Sequence, residues 1–329
     1  MKAWVIESLE GIDKLKLMDV PDPRPGRGEV ALDMLYAALN PADRYLAQRE
    51  YPADPPLPHV LGRDGLGVVR EIGEGVSGIR PGEKRAILRG ETGVTRWGTF
   101  AQRVVVAGDS LVEIPPGWTE QEAAGATLVY LTAYQALSMW GELRDAVVLI
   151  SGASGGVGVA ALQLASAMGH RVAALSRSRE KRDRLVQLGA TFAIDPNDPT
   201  WTSQLKQMPA AGRVDLIVDN VGGALFSEML DTLGYGGKVS CVGRLAGPVP
   251  QFNTAALLFR RLRIGGVAVG SYSNQESRSA WEQIVALLQR TGARPLVDGV
   301  FAFEKLPAAF RRLAEGPMGK VLLAVTAAG

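Results

Sequence analysis

Cysteine and histidine are scarce: the 329-residue chain has one Cys and two His. A lone cysteine excludes an internal disulfide, and two histidines exclude a multi-histidine metal site. An excess of one charge is missing as well. The 36 Lys and Arg against 34 Asp and Glu leave +2, which supplies no basic surplus to hold a nucleic-acid backbone. No stretch approaches about 18 uninterrupted apolar residues, so no membrane span is expected. The N-terminal MKAWVIES alternates like a strand and lacks an apolar run followed by a cleavage site. Cys241 lies in an apolar strand pattern, as a small core residue in a reducing compartment would. The expectation is a cytoplasmic protein with no membrane or nucleic-acid partner.

What is plentiful is glycine, 39 residues, against about 7% in an average protein. It implies tight turns and close backbone approaches. Hydrophobic residues at 47% and charged residues at 21% are ordinary for a globular chain, and the length suits two domains. Up to about Pro116, short strands (Glu29–Leu35, Gly67–Ile72, Lys84–Leu88, Phe100–Val106, Leu111–Ile114) are separated by Pro and Gly clusters. That spacing predicts a β-rich barrel or sandwich. From Gln121 to Trp140 the pattern is helical, and then strands and helices alternate: Val147–Ser151, Gly156–Met168, Arg171–Ser176, Glu180–Leu188, Thr191–Ile194, Val214–Asp219, Ala224–Leu233, Lys238–Val242 and Ile264–Val269. These strands lack alternation, as expected of strands covered on both faces. The prediction is an α/β, doubly wound parallel sheet over 121–267, with 1–120 and 268–329 forming the β-rich domain.

The strongest local signal is SGASGGVG, Ser151–Gly158, between an apolar strand and a helix. It holds Ala153, Ser154, Gly155, Gly156, Val157 and Gly158, an alanine-led dinucleotide fingerprint. The middle glycine admits a pyrophosphate, the last lets helix pack on strand, and the helix start presents N–H groups to the anion. At the end of the second strand an NAD site usually has Asp or Glu. Here stand Ser176, Arg177, Ser178 and Arg179, with Lys181 beyond. A carboxylate there would repel a 2′-phosphate, whereas Ser and Arg can bind it, so the cofactor expected is NADPH. The other reading of Arg177, Arg179 and Lys181 is a solvated helix start.

These features together resemble the medium-chain dehydrogenase/reductase superfamily, in its zinc-free quinone oxidoreductase (zeta-crystallin-like) branch. The resemblance runs the length of the chain. It is carried by Asn40-Pro41-Ala42-Asp43, Leu61-Gly62-Arg63-Asp64-Gly65, Leu131-Thr132-Ala133-Tyr134, the SGASGGVG loop and Gly319-Lys320-Val321-Leu322. It implies a Rossmann domain joined to a GroES-like catalytic domain. By motif position, the three catalytic zinc ligands of the zinc-bearing relatives become Asn40, Arg63 and Leu128, none of which can replace thiolate or imidazole. The motif N-P-x-D-x-Y-x-R-x-G-x-Y is partly kept, with Asn40, Asp43, Tyr45 and Tyr51 matching but Ala47 and Arg49 departing.

A metal-free reductase suits quinones or α,β-unsaturated carbonyls, whose electrons delocalise onto oxygen and can be stabilised there by hydrogen bonds. The resemblance implies that Tyr45 and Asn40 line the nicotinamide pocket. Either Tyr45 donates to the substrate oxygen with Asn40 helping, or solvent protonates the product. Asp43 would hold its loop. Arg63 and Asp64 would form a salt bridge or touch substrate. Further cofactor contacts implied are Thr127, Thr132, Asn220, Val242, Gly243, Arg244, Val267 and Lys320. Lys320 reads either as a phosphate contact or as a solvent-facing lysine at a strand edge. His59 reads as a packing or hydrogen-bonding residue, and His170 as a surface residue. In relatives the last Rossmann strand pairs with its copy, which implies a homodimer. Two alternatives stand beside quinone or enone reduction. One is an enoyl-thioester reductase acting on a CoA or carrier-protein substrate, with Arg44, Arg49 or Arg260 at its phosphate. The other is a non-catalytic NADPH-binding protein of crystallin or RNA-binding type.

Overall fold

The structure, a computed structural model, describes residues 1–88, 90–207, 213–248 and 250–325. It divides into two compact units. One comprises Met1–Leu128, Tyr272–Ser279 and Arg294–Gly329, and the other Val129–Ser271 and Ala280–Ala293. The sequence placed the change of unit at 120, and the structure places it at 128. The reason lies in the stretch read as one helix from Gln121. It is two helices, Glu120–Ala124 and Thr127–Ser138. The first is capped by Thr119, whose Oγ1 accepts from Glu122 N–H at 3.2 Å while the Glu122 carboxylate accepts from Thr119 N–H at 2.6 Å. It packs on strands of the first unit. At its end a Cβ on Gly125 would lie 3.2 Å from Lys320 Cβ and Cγ, so glycine permits that close packing.

The first unit is β-rich. Its larger sheet runs Val297–Ala302, Lys320–Ala324, Glu29–Ala38, Asp64–Ile72, Lys84–Ile87, Leu111–Val112, with Arg103–Ala107 also paired to Glu29–Ala38. A smaller sheet joins Lys16–Asp19, Lys2–Ile6 and His59–Val60. The core between them is aliphatic, with Phe100 and Phe310 meeting edge to face at 5.9 Å and 89°. Two registers matter for function. Leu322 pairs with Ala38 antiparallel, which continues to Lys320 facing Asn40. Ala38 also pairs with Asp64 on its other side. Three residues distant in sequence are thus brought to one end of three adjacent strands.

The second unit holds a six-stranded sheet, numbered here within the unit: β1 Val147–Ile150, β2 Arg171–Leu175, β3 Phe192–Ile194, β4 Val214–Asp219, β5 Leu233–Cys241 and β6 Arg263–Gly266. All pairings are parallel and the spatial order is β3-β2-β1-β4-β5-β6. This is the doubly wound Rossmann order, which reverses direction between β1 and β4. Central strands β1 and β2 are buried almost throughout. The expected final strand to Val269 stops at Gly266, and Val269–Ser271 is a 3-10 turn. His170 precedes β2 half-buried rather than on the surface, with its Nδ1 accepting from Ala146 N–H at 3.4 Å. No helix among the described residues is long and apolar enough to cross a membrane.

Candidate active site

The short helix Pro41–Ala47 positions the candidate residues of the first unit. Asn40 precedes it in extended conformation, Pro41 occupies its first turn, and the Asp43 carboxylate accepts from Asn40 N–H at 2.8 Å. Asn40 is 5% exposed and Asp43 is fully buried. Lys320, 4% exposed, sends its ammonium to Asn40 Oδ1 at 2.6 Å and Leu39 O at 2.9 Å, and lies 3.3 Å from Asp64 Oδ2. It is therefore an internal cation, not a solvent-facing lysine, hydrogen-bonded to two protein oxygens and ion-paired with a third. Thr127 is fully buried, with its hydroxyl between Asp64 Oδ1 at 2.9 Å and Ile87 O at 2.6 Å.

An ammonium can only donate, so Lys320 fixes which end of the Asn40 amide faces it. The amide oxygen is turned inward. The Nδ2 group donates one N–H to Ala38 O at 3.3 Å and has a second to offer. Asn40 can present a donor to a bound molecule and no acceptor.

Arg63 and Asp64 do not pair with each other as one sequence reading had it. Consecutive residues entering a strand point to opposite faces. Asp64 turns in to Lys320, while half-buried Arg63 donates from Nη2 to the Tyr51 hydroxyl at 2.9 Å. Burial pushes the Asp43 carboxyl up to about 6, a rise opposed by the nearby Arg63 charge. Tyr45 is half-buried on the same helix, with the Arg44 guanidinium 5.5 Å from its ring centre. His59 is fully buried, with the Gly93 backbone as the polar group beside its ring. It is a packing residue, and burial lowers its pKa to about 4.

The second unit carries the glycine loop where β1 and β4 diverge. Ala153 and Gly158 are buried, and Ser154 to Val157 are half-buried. A Cβ on Gly158 would lie 2.3 Å from Gly152 O and 2.6 Å from Ala153 Cα, so that glycine lets the helix Gly156–Ala167 pack on the loop. A Cβ on Gly155 would meet only Gly152 O, at 3.5 Å. The space above Gly155 is left open, and the first N–H groups of any helix have no partner within the helix itself.

The loop is tied down by two residues that the sequence reading passed over. Ser151 Oγ donates to Asp219 Oδ1 at 2.6 Å and accepts from Asn220 N–H at 2.9 Å. Asp219 Oδ1 also accepts from the N–H groups of Val221 and Gly222, both at 3.0 Å. Asn220 Nδ2 donates to Ser151 O at 2.8 Å, and its Oδ1 is buried with no hydrogen-bond partner among the described residues. A serine ending one strand and an Asp-Asn ending another were the available signal, since ligands bind at strand carboxyl ends. Val242 and Gly243 N–H both donate to Asp219 O. Val267 N–H donates to Cys241 O at 2.9 Å, and Arg244 and Thr132 lie half-buried in the same unit. Burial pushes the Cys241 thiol up to about 11, which keeps it protonated at neutral pH.

At the end of β2, Ser176 is buried and Arg177 exposed. Ser178 caps the helix Arg179–Gln187, its Oγ accepting from Lys181 N–H at 3.4 Å. Arg182, also missed in the sequence, stiffens this turn by donating to the carbonyls of Ser176 and Arg177 at 2.9 Å each and to Asp195 at 3.0 Å.

Comparison with known proteins agrees with both halves. The alcohol dehydrogenase GroES-like domain matches residues 26–116, and the family described as zinc-binding dehydrogenase matches 156–290. A rat synaptic vesicle membrane protein VAT-1 homolog is 32% identical over 98% of this chain and 84% of its own length. The chain belongs to the medium-chain dehydrogenase/reductase superfamily. Within it the chain falls in the quinone oxidoreductase-like branch: a pig quinone oxidoreductase is 28% identical over 98% of this chain and 97% of its own. A mitochondrial enoyl-[acyl-carrier-protein] reductase of Xenopus tropicalis is 33% identical over 85% and 80%. A solved NAD-dependent alcohol dehydrogenase superposes with TM-score 0.89 at 30% identity, covering 99% of this chain and all of that one.

Superfamily membership makes the chain an oxidoreductase that binds a nicotinamide dinucleotide. The open space at Gly155, the bare helix start and the unpartnered Asn220 Oδ1 are a fitting cradle for one. Among the described residues no three His, Cys, Asp or Glu side chains group to hold a metal ion.

Proposed function

We propose that this superfamily member is a zinc-independent, NADPH-dependent reductase of quinones or α,β-unsaturated ketones and aldehydes. The observation that carries the reading is the Asn40 amide, held as a donor by Lys320 at 2.6 Å. A donor set suits a carbonyl or quinone oxygen, which gains negative charge as the substrate is reduced. With Asn40, Arg63 and Leu128 at the positions of the relatives' zinc ligands, hydrogen bonds take the part that a Lewis acid has elsewhere.

When bound, the reduced nicotinamide supplies a hydride. The loop Ala153–Gly158 and Asn220 would hold its pyrophosphate and ribose, with Thr132, Val242, Gly243, Arg244 and Val267 along the same edge. Ser176, Arg177 and Lys181 would hold the 2′-phosphate. Lys320 and Thr127 act by positioning: their polar atoms already meet Asn40, Asp64 and backbone carbonyls. Tyr45, on the helix that Asn40 precedes, would be the second donor toward the substrate. Arg177→Ala is expected to raise the KM for NADPH about tenfold or more, the worth of a charge-assisted hydrogen bond, and leave that for NADH unchanged. Equal wild-type KM values for the two would remove the assignment.

NADPH consumption with 1,2-naphthoquinone, an enone and crotonyl-CoA tests the reaction class. Turnover of the first two is the expected outcome. Turnover of crotonyl-CoA alone would favour a second reading, an enoyl-thioester reductase, which the similarity to the frog enzyme supports. For that reading Arg44 and Arg49 remain on the helix Pro41–Ala47 and its end. Arg260 is engaged, its guanidinium donating to Leu230 O and Leu233 O.

Strand β6 pairs on one side only among the described residues, and nearby Leu258 and Phe259 are 71% and 76% exposed. An open sheet edge beside exposed apolar side chains fits the homodimer that the resemblance implies. Light scattering at micromolar concentration should give twice the chain mass, and Phe259→Asp should shift it toward one. We place the enzyme in the cytoplasm.

A further inference from the structure

The backbone of Gly62, at φ +98°, is clasped by other chain segments. A Cβ there would lie 2.5 Å from Thr99 Oγ1 and 2.9 Å from Phe100 N, and Cβ atoms on Gly93 and Gly98 would each fall within 2.2 Å of Gly62 O. Arg63 therefore leaves a rigid mount. Its guanidinium carbon lies 4.6 Å from the centre of the Tyr51 ring, and Nη2 donates to the Tyr51 hydroxyl at 2.9 Å. Both side chains are half-buried.

This arrangement has a definite polarity. Guanidinium has donors only, so the Tyr51 oxygen accepts from it and the phenolic proton must point to a different acceptor. The cation behind that oxygen favours any negative charge drawn toward the hydroxyl. Stacking on the ring and the bond to the hydroxyl together hold the guanidinium plane. Of its five donors, one is engaged by Tyr51. The Arg63 charge is near enough to the buried Asp43 carboxyl to oppose the rise of its pKa, and Asp43 Oδ1 has no hydrogen-bond partner among the described residues. Asp43 is thus a counter-charge for Arg63.

We infer that Arg63 and Tyr51 act as one fixed-charge clamp for a substrate oxygen that bears or develops negative charge, an enolate or hydroquinone oxygen. Tyr51 gives the hydrogen bond, and Arg63 orients Tyr51 and supplies the charge. Arg63 is thus a specificity-determining residue that selects strongly delocalised acceptors over simple ketones. The inference rests on the quinone or enone reading above.

The test combines kinetics with a binding measurement. Arg63→Met and Tyr51→Phe should each lower kcat/KM for an enone about ten- to a hundredfold, the range for a hydrogen bond to a charged group. The double variant should lose no more than the worse single one, because the two act as a unit. The Kd of 4-nitrophenolate, an oxyanion probe, should weaken about tenfold in each single variant in the presence of NADP+. Arg63→Lys keeps a charge beside Asp43 and so guards against misfolding. It should keep the wild-type melting temperature and recover only part of the rate. Losses that multiply in the double variant, or unchanged kcat/KM and nitrophenolate affinity in Arg63→Met, would overturn the clamp. Failure of the wild type to reduce any quinone or enone would instead overturn the functional reading, and the nitrophenolate result stands apart from it.

Discussion

Lys320→Met should lower stability by about 3–5 kcal/mol, the usual effect of removing one partner of a buried ion pair. The methionine matches the lysine stem in length, so little volume is lost and the effect is electrostatic. Asp64 would be left fully buried beside Thr127 with its cation gone. The double variant Lys320→Met/Asp64→Leu removes both charges and should recover most of that loss, as apolar replacements of whole buried pairs do. Activity should not recover with it. Without the ammonium, only the longer Nδ2 bond to Ala38 O at 3.3 Å still turns the Asn40 oxygen inward, and the amide can flip to present an acceptor to the substrate. The expectation is a double variant of near-wild-type urea midpoint, with kcat reduced about tenfold or more and the KM for NADPH unchanged. Recovery of kcat together with stability would show that Lys320 serves folding alone.

How far such a residue is visible in the sequence depends on distance along the chain. The dinucleotide loop is local: strand, glycines and helix lie within Val147–Ala167, and each glycine has a role that its spacing announces. Strand Val214–Asp219 was read to its ends, because an apolar run in a parallel sheet is bounded by turn residues at both sides. Asn40, Pro41 and Asp43 occupy standard positions of a helix start, but the family motif spans the same residues and masks the capping pattern of the helix Pro41–Ala47. The Lys320 network was not legible at all, because its members stand 280 positions apart and meet only through the register of Leu322 on Ala38. A lysine opening a strand reads as exposed until that pairing is known. The same applies to Arg63 and Asp64, whose neighbouring charges suggested a pair while the strand geometry sends them apart. Burial of Asp43 could not be read either, since polar residues near loops are usually solvated, whereas His59, read as a packing or hydrogen-bonding residue, is indeed buried.

Those two buried groups should give opposite pH dependences that conceal each other. The Asp43 carboxyl titrates at about 6 in the fold against 3.8 ordinarily. Between these values the folded protein binds more protons than the unfolded chain, so its term lowers stability as pH rises from 3.8 to 6. Above 6 the loss is constant, about 3 kcal/mol. His59 titrates at about 4 against 6.5. Between these values the unfolded chain binds more protons, so its term lowers stability as pH falls from 6.5 to 4, again by about 3 kcal/mol. Between pH 4 and 6 the slopes oppose. Asp43→Asn keeps an oxygen for the Asn40 N–H and removes the carboxyl. Relative to wild type it should gain stability at pH 7 and lose that advantage as pH falls toward 4. His59→Leu should show the reverse, with its largest gain over wild type at pH 4. Urea unfolding at pH 4, 5, 6 and 7 supplies the difference curves, in which the remaining titrating groups cancel. Curves for both variants that run parallel to the wild type across this range would mean that neither group is shifted by burial, and that water reaches the floor of the Asn40 cluster.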